Sequence, residues 1–172
     1  MTDIRRYYQS NSIVFITSVT NNRKKIFNSK ENMDLYWDVL RKTMLLHPFE
    51  IMAYTIMPDH FHWLVKLPEE NPNFSKILLS FKGNFTYQYK KIHNSSTPLT
   101  LWQRRFWDHV VRDEKDFCIH LDYIHWNPVR HGFVKEPENW MQSSFKSWVE
   151  NGFYEPGWVG DEPKTIRGLN FE

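Results

Sequence analysis

Two histidines separated by one residue, His60-Phe61-His62, sit in a run of strand-forming residues. Side chains alternate along a strand, so His60 and His62 point to one face and Phe61, Trp63 and Val65 to the other. Two imidazoles so placed can chelate one divalent ion, although most such pairs bind nothing. A second run, Asp122-Tyr123-Ile124-His125-Trp126-Asn127-Pro128, makes the pair informative. On a helix Tyr123 and Asn127 are i and i+4 and share a face, which His120 roughly shares. A lone helical tyrosine is ordinarily half-buried with its hydroxyl bonded. Opposite a metal pair it can instead attack a phosphodiester and leave a covalent phosphotyrosine. Its ordinary pKa of about 10 makes it a poor nucleophile. The phosphate must therefore be polarised and the leaving 3′-oxygen stabilised, which one Mg²⁺ or Mn²⁺ can do. Two imidazoles and an amide oxygen leave coordination positions open, unlike a closed structural zinc site.

The rest of the chain must position these groups. Residues 13–19 (IVFITSV) are β-branched and predict a strand. Leu35, Val39, Leu40 and Leu46 predict a helix over 34–46, ended by His47-Pro48. Residues 49–57 and 60–67 read as strands joined into a hairpin at Pro58-Asp59. A helix over 74–92 carries Ile77, Leu78, Phe81, Phe85 and Tyr89 on one side and is weakened at Gly83. Residues 106–112 read as a fourth strand. Asp113 can cap a helix that runs to about His131, with Gly132 as its stop and Pro128 bending it or ending it early. The order βαββαβα predicts an α+β fold: a ferredoxin-like antiparallel sheet with helices on one face, plus a C-terminal tyrosine-bearing helix on either face. Residues 1–134 carry a net charge of +5 and residues 135–172 a net of −3. We therefore expect a site-bearing domain over 1–134 and an irregular, acidic, aromatic tail over 135–172 packed on it.

At 172 residues one domain is expected. With 41% hydrophobic and 24% charged residues, the composition argues against intrinsic disorder. A net charge of +2 argues against binding through bulk charge alone, though not against a local basic patch. Cys118 is the single cysteine, so no internal disulfide or Cys-based zinc site can form. No apolar run approaches the roughly 18 residues of a membrane span, and MTDIRRYYQSN lacks a signal-peptide core. A soluble cytoplasmic protein without a membrane partner is expected. Aromatics make up 17% of the chain, which suits either a core or a surface for stacking bases. Phe61, Trp63, Phe81, Phe85 and Phe117 read as core; Tyr7, Tyr8, Trp102 and Trp126 are the stacking candidates.

HFH opening a strand, followed by a tyrosine with asparagine at +4 in YIHWNPVRHG, resembles the HUH single-tyrosine transposase superfamily (the IS200/IS605-like group). The sequence is more similar still to its REP-associated tyrosine transposases. The resembling stretches are YTIMPDHFHWLV, SFKGNFTYQY, LWQRRFWDHVVRDEKDF, HLDYIHWNPVRHGFV and PENWMQSSFKSW, spread over most of the chain in the family's order. The resemblance implies that residues 1–134 are the catalytic domain, that His60 and His62 bind the metal, that Tyr123 is the nucleophile and that Asn127 is the third ligand. It implies a Mg²⁺ or Mn²⁺ enzyme that cleaves and rejoins single-stranded DNA at repetitive extragenic palindromes (REPs), recognising a hairpin and a short guide sequence. It also implies a monomer, with a homodimer as the alternative.

Further residues could hold DNA. Trp102, Arg104 and Arg105 lead into the fourth strand and suit base stacking and phosphate clamping. Arg5, Arg6 and Tyr7 have the same chemistry in a basic arm. Lys82, Lys90 and Lys91 lie on the second helix and could meet a hairpin backbone or simply solvent. His109, Asp108 and Asp116 are polar groups near the expected cleft; Asp108 could orient a ligand histidine or pair with an arginine, and His120 is a second candidate for such support. Two other readings compete: a catalytically silent hairpin-binding module of the same fold, and an RNA-cleaving protein using the histidines as acid and base.

Overall fold

The structure is a computed structural model that describes residues 8–155, 158 and 162–172. The candidates Arg5, Arg6 and Tyr7 lie outside the described residues. Strands β1 (Ile13–Val19), β2 (Glu50–Ile56), β3 (His60–Lys66) and β4 (Trp107–Val110) form one sheet in the order β2-β3-β1-β4. Every pairing is antiparallel. Helices α1 (Lys30–Leu46) and α2 (Phe74–Ile92) join the strands, and α3 (Glu114–Arg130) and the short α4 (Phe145–Glu150) follow them. This is the α+β, ferredoxin-like arrangement that the element order predicts.

β3 is buried on both sides because its two faces meet two different cores. Phe61, Trp63 and Val65 pack with Tyr36, Leu40, Phe81 and Phe85 from α1 and α2. The indole N–H of Trp63 donates to the Tyr36 hydroxyl at 2.6 Å, so two buried polar groups satisfy each other. On the opposite face Phe15, Ala53 and Leu64 pack with Leu121, Tyr123 and Ile124 of α3. Full burial of an apolar side chain such as Phe61 contributes roughly 1.5–3 kcal/mol. Thus α3 takes the face that α1 and α2 leave open.

Three local expectations need correction. α1 starts at Lys30 rather than at 34, because the Ser29 hydroxyl accepts from the Asn32 N–H and caps it there. Leu46, expected on its buried side, is exposed; the buried stripe is Leu35, Tyr36, Val39, Leu40 and Thr43. Pro128 does not end α3, which runs on to Arg130. It lies so near the end that the proline forfeits one hydrogen bond only. Gly132 (φ 71°) then closes the helix: Gly132 N–H bonds the Val129 carbonyl at 2.9 Å and Phe133 N–H the Pro128 carbonyl at 3.0 Å.

The segment after α3 runs along β2. Ile56 N–H donates to the Gln142 carbonyl at 2.8 Å, and Ser144 N–H to the Tyr54 carbonyl at 3.0 Å. The Trp148 indole caps the Met52 carbonyl at 3.0 Å, where β2 has a register shift against β3. His125 of α3 links the segment to the core: its Nε2 lies 2.9 Å from Ser144 Oγ and its Nδ1 3.1 Å from the Tyr154 hydroxyl. Among the described residues no helix is long and apolar enough to cross a membrane.

Burial holds the His125 pKa down at about 3, against an ordinary value near 6.5. The unfolded chain therefore takes up a proton below about 6.5 that the folded chain refuses, so stability falls as pH drops from 6.5 towards 3. His125→Gln, which cannot protonate, is expected to cost about 2 kcal/mol at pH 7. It should also flatten the decline between pH 6.5 and 4.5, as read by urea unfolding. An unchanged pH slope in the variant would remove His125 from this role.

Candidate active site

His60 and His62 lie on the α3 face of β3, both at most 1% exposed. Each ring is fixed through its Nδ1. His60 Nδ1 is 2.6 Å from Asp59 Oδ1, and His62 Nδ1 is 2.8 Å from the Thr17 hydroxyl on β1. With Nδ1 as its donor, His62 keeps a bare Nε2 on this side of the sheet, whereas His60 Nε2 faces oxygen atoms. The ring centroids are 4.9 Å apart. α3 brings Asn127 Oδ1 to 3.3 Å from His60 Nε2, and sets the Tyr123 ring 5.3 Å from that of His62. His60, His62, Tyr123 and Asn127 are therefore gathered in one place.

Glu172 joins them, and the sequence reading did not find it. Its Oε1 lies 3.3 Å from His60 Nε2, 3.9 Å from His62 Nε2 and 2.7 Å from His131 Nε2. Asn127 Nδ2 donates to the same oxygen at 3.3 Å. Arg23 bonds the other oxygen at 2.8 Å and Asp59 at 3.3 Å, tying the tail to the loop after β1. Arg23 adopts φ 48°, a left-handed conformation that costs roughly 1–2 kcal/mol in a non-glycine residue. No local pattern marks Glu172 among the tail's acids. Asp59 and Thr17 flank the motif in space, and only Asp59 does so in sequence.

The electrostatics follow from burial and these partners. Burial alone would raise the Glu172 carboxyl, but hydrogen bonds from His131 and His60 hold it well below the usual range. Burial would lower His60, yet Asp59 and Glu172 outweigh it and raise its pKa. His62 is pushed well below 6.5 by burial, and the neighbouring His60 charge adds to that. Burial raises Tyr123 above 10, although the Phe171 N–H bonds its hydroxyl at 3.1 Å. The Arg130 guanidinium sits 5.3 Å over the Tyr123 ring.

The donor set fits a divalent cation. His62 Nε2 is buried without a hydrogen-bond partner, which is costly unless something binds it. His60, His62 and Glu172 place one ligand atom each within 4.8 Å of one another, and the Asn127 amide oxygen adjoins them. A second group, His109, Asp116 and His120, is also within 4.8 Å. It fits an ion poorly. The Asp116 carboxylate already accepts from His109 Nε2 at 2.7 Å and from Arg112 N–H and Nε at 3.0 Å. The two imidazole planes are within 15° of parallel, so their in-plane lone pairs do not converge.

Several expected contacts are elsewhere. Trp102 is a core residue, 7% exposed, whose indole bonds the Lys82 carbonyl and the Thr86 hydroxyl; it has no face for a base. Trp126 is likewise buried, against Trp158. Lys82 donates to the Gln103 carbonyl at 3.0 Å, and burial lowers its pKa to about 8. It lines a groove of about 510 Å³ along α2 with Tyr87, Arg104 and Phe106. Arg104 and Arg105 are exposed, as is Lys91, while Lys90 is partly covered. Asp108 alternates with His109 on β4 and so faces the α1 and α2 side; Asp59 and Thr17, not Asp108, hold the site histidines. His120 is separated from His62 by the Phe15 ring, 4.8 Å from one and 5.5 Å from the other. Its own partner is the Asp116 carbonyl at 2.8 Å.

Comparison with known proteins places this geometry. Residues 8–127 match the family of IS200-like transposases. A REP-associated tyrosine transposase of Escherichia coli (strain K12) is 35% identical over 162 residues, 94% of this chain and 93% of its own. A Haemophilus influenzae relative bearing a provisional form of that name is 34% identical, over 98% of this chain and 99% of its own. The structure of a REP-associated tyrosine transposase bound to a REP hairpin superposes with a TM-score of 0.83 at 33% identity, covering 95% of this chain and 94% of that one.

If Thr17 fixes the His62 ring for metal binding, Thr17→Val should weaken Mn²⁺ binding about 10–100-fold, the usual effect of losing a partner behind a ligand histidine. Titration followed by the electron paramagnetic resonance of free Mn²⁺ reads this. Unaltered affinity in Thr17→Val would show that the hydroxyl does not support the ligand.

Proposed function

The chain belongs to the IS200-like transposase family, in its REP-associated tyrosine branch, and on that premise we propose that it cuts and rejoins single-stranded DNA through a covalent 5′-phosphotyrosine. One observation carries the reading: the Tyr123 ring stands 5.3 Å from His62, beside the His60–Asn127 contact. A tyrosine with a purely structural role would not need two oriented imidazoles beside it, one with a bare, buried Nε2.

His60, His62 and Asn127 would hold Mg²⁺ or Mn²⁺, with Glu172 able to supply a carboxylate ligand. The bound ion would polarise the phosphate and offset charge on the leaving oxygen. The protein's own groups do the rest. Asp59 and Thr17 orient the imidazoles. The Tyr123 oxygen forms a bond to phosphorus, the bond from phosphorus to the 3′-oxygen breaks, and that oxygen leaves as a hydroxyl. Rejoining reverses the step: a 3′-hydroxyl attacks the phosphotyrosine and frees Tyr123. Burial raises the Tyr123 pKa, so the phenol is protonated before DNA binds, and over the exchange its proton passes to the leaving 3′-oxygen.

A hairpin is the proposed partner, by analogy with the relative solved with a REP hairpin. Exposed Arg104, Arg105 and Lys91 are the proposed contacts with its phosphates, and exposed Tyr8 is available for stacking. We further propose that the protein acts as a monomer, because Tyr123 and both histidines come from one chain. Residues 1–134 then form the catalytic domain and residues 135–172 a tail that reaches the site through Glu172. The silent-module reading keeps one point in its favour, since Tyr123 is only 1% exposed.

Incubation of the full chain and Mn²⁺ with hairpin oligonucleotides drawn from palindromic repeats beside its gene is expected to give a protein–DNA adduct on a denaturing gel. Tyr123→Phe should give none. Its absence with the native chain would sink the enzyme reading in favour of the binding module, and an adduct persisting in Tyr123→Phe would sink the nucleophile.

A further inference from the structure

Beside Tyr123 four rings stand nearly parallel on the α3 face of the sheet. Phe171 lies 4.9 Å from Trp107 and 4.8 Å from His120, with interplanar angles of 24° and 16°. His109 continues the stack on the far side of His120, at 4.6 Å and 15°. Trp107 and His120 belong to β4 and α3, so the fold itself fixes them. Phe171 belongs to the tail, and its backbone N–H is what bonds the Tyr123 hydroxyl.

Two details single out the position of Phe171. His120 is buried, its Nδ1 proton is held by the Asp116 carbonyl, and its Nε2 has no partner. An orphaned buried acceptor is unfavourable; its lone pair lies in the imidazole plane, so a group beside the stack, not the Phe171 ring within it, can meet it. The next residue, Glu172, brings its carboxylate to 3.3 Å from His60 Nε2. An aromatic ring followed along one backbone by an anion has the chemical outline of a nucleotide, with its base in the stack and its phosphate at the histidines.

The Trp107 and His120 centroids are 6.2 Å apart, so both meet Phe171 from one side, and we propose that they form one wall of a stacking slot for one unpaired nucleobase of the strand held at Tyr123, a slot that Phe171 fills in this structure. The proposal rests on the single-strand DNA reading above and names a subsite for it. Every base presents a π-face, so such a slot contributes affinity without demanding one sequence. His120 Nε2 is left open, in the plane of its own ring, to a donor of the adjoining nucleotide rather than to the stacked base itself.

The probe is a ten-residue oligodeoxythymidylate carrying one 2-aminopurine, whose emission falls when it stacks, titrated without divalent ions. Phe171→Ala should bind it about tenfold more tightly than the native chain and quench it more strongly, the scale of one stacked base. Adding Trp107→Ala should abolish that gain, and Trp107→Phe, which keeps a ring, should restore most of it. His120→Phe in the Phe171→Ala background should retain quenching and lose a few-fold in affinity. No gain in Phe171→Ala, or a gain that survives Trp107→Ala, would overturn the slot. The adduct test separates the two readings: an adduct without the gain sinks the slot alone, and the gain without an adduct leaves a base-binding slot and sinks the chemistry.

Discussion

The two-faced burial of β3 is the constraint on which the rest depends. Alternation puts Phe61 and Trp63 into the α1 and α2 core and His60 and His62 beneath α3. A shift of one residue in register would exchange the two sets, placing imidazoles among aromatic rings and rings against Asn127. The apolar set is therefore what fixes the polar set. The Trp63–Tyr36 bond strengthens this, since a slipped strand would leave an indole N–H and a phenol buried without partners. Position of the histidines is thus secured by residues on the side of the sheet that never meets them.

What the histidines face is a buried concentration of opposite charges. Glu172, Asp59, Arg23, His60 and His131 form one connected group around two Nε2 atoms. Removing any one partner leaves another buried charge uncompensated, which is why such groups cost more to break than they contribute when intact. The Asp116 group beside α3 works differently. Asp113 caps the first turn of α3 by accepting from the Asp116 N–H at 2.8 Å, and the Asp116 carboxylate ties that turn back to Arg112 and His109, which fixes where α3 begins and so where Tyr123 and Asn127 lie about two and three turns later.

Local periodicity made much of this legible. The faces of β3, the stripe Ile77-Leu78-Phe81-Phe85-Tyr89 and the i, i+4 relation of Tyr123 and Asn127 each depend on a few neighbouring residues. The contact of His60 with Asn127 spans 67 residues, yet both ends carried recognisable chemistry. The contact of Arg23 with Glu172 spans 149 residues, and neither end had a pattern. Trp102 was misassigned for a related reason. Beside two arginines it resembles a surface aromatic, and only its bridge to Thr20 shows that the chain turns inward there. Asp108 could not be sorted from Asp116 in sequence, because which acid meets a histidine depends on how α3 starts over β4.

The hydrogen bonds between β2 and residues 142–144 bear on how the chain is made. β2 is the outermost strand on its side of the sheet, and its free backbone groups are met by Gln142, Ser143 and Ser144, about ninety residues later. During synthesis from the N-terminus the sheet can assemble once β4 has emerged, but this rim stays open until residue 144 follows. An unmet rim is a template for pairing with another molecule, and late long-range closure prolongs the interval. A nascent chain that has emerged past β4 but not as far as residue 142 would thus carry a sheet with one unmet border, a stretch of translation in which contact with other chains is most costly.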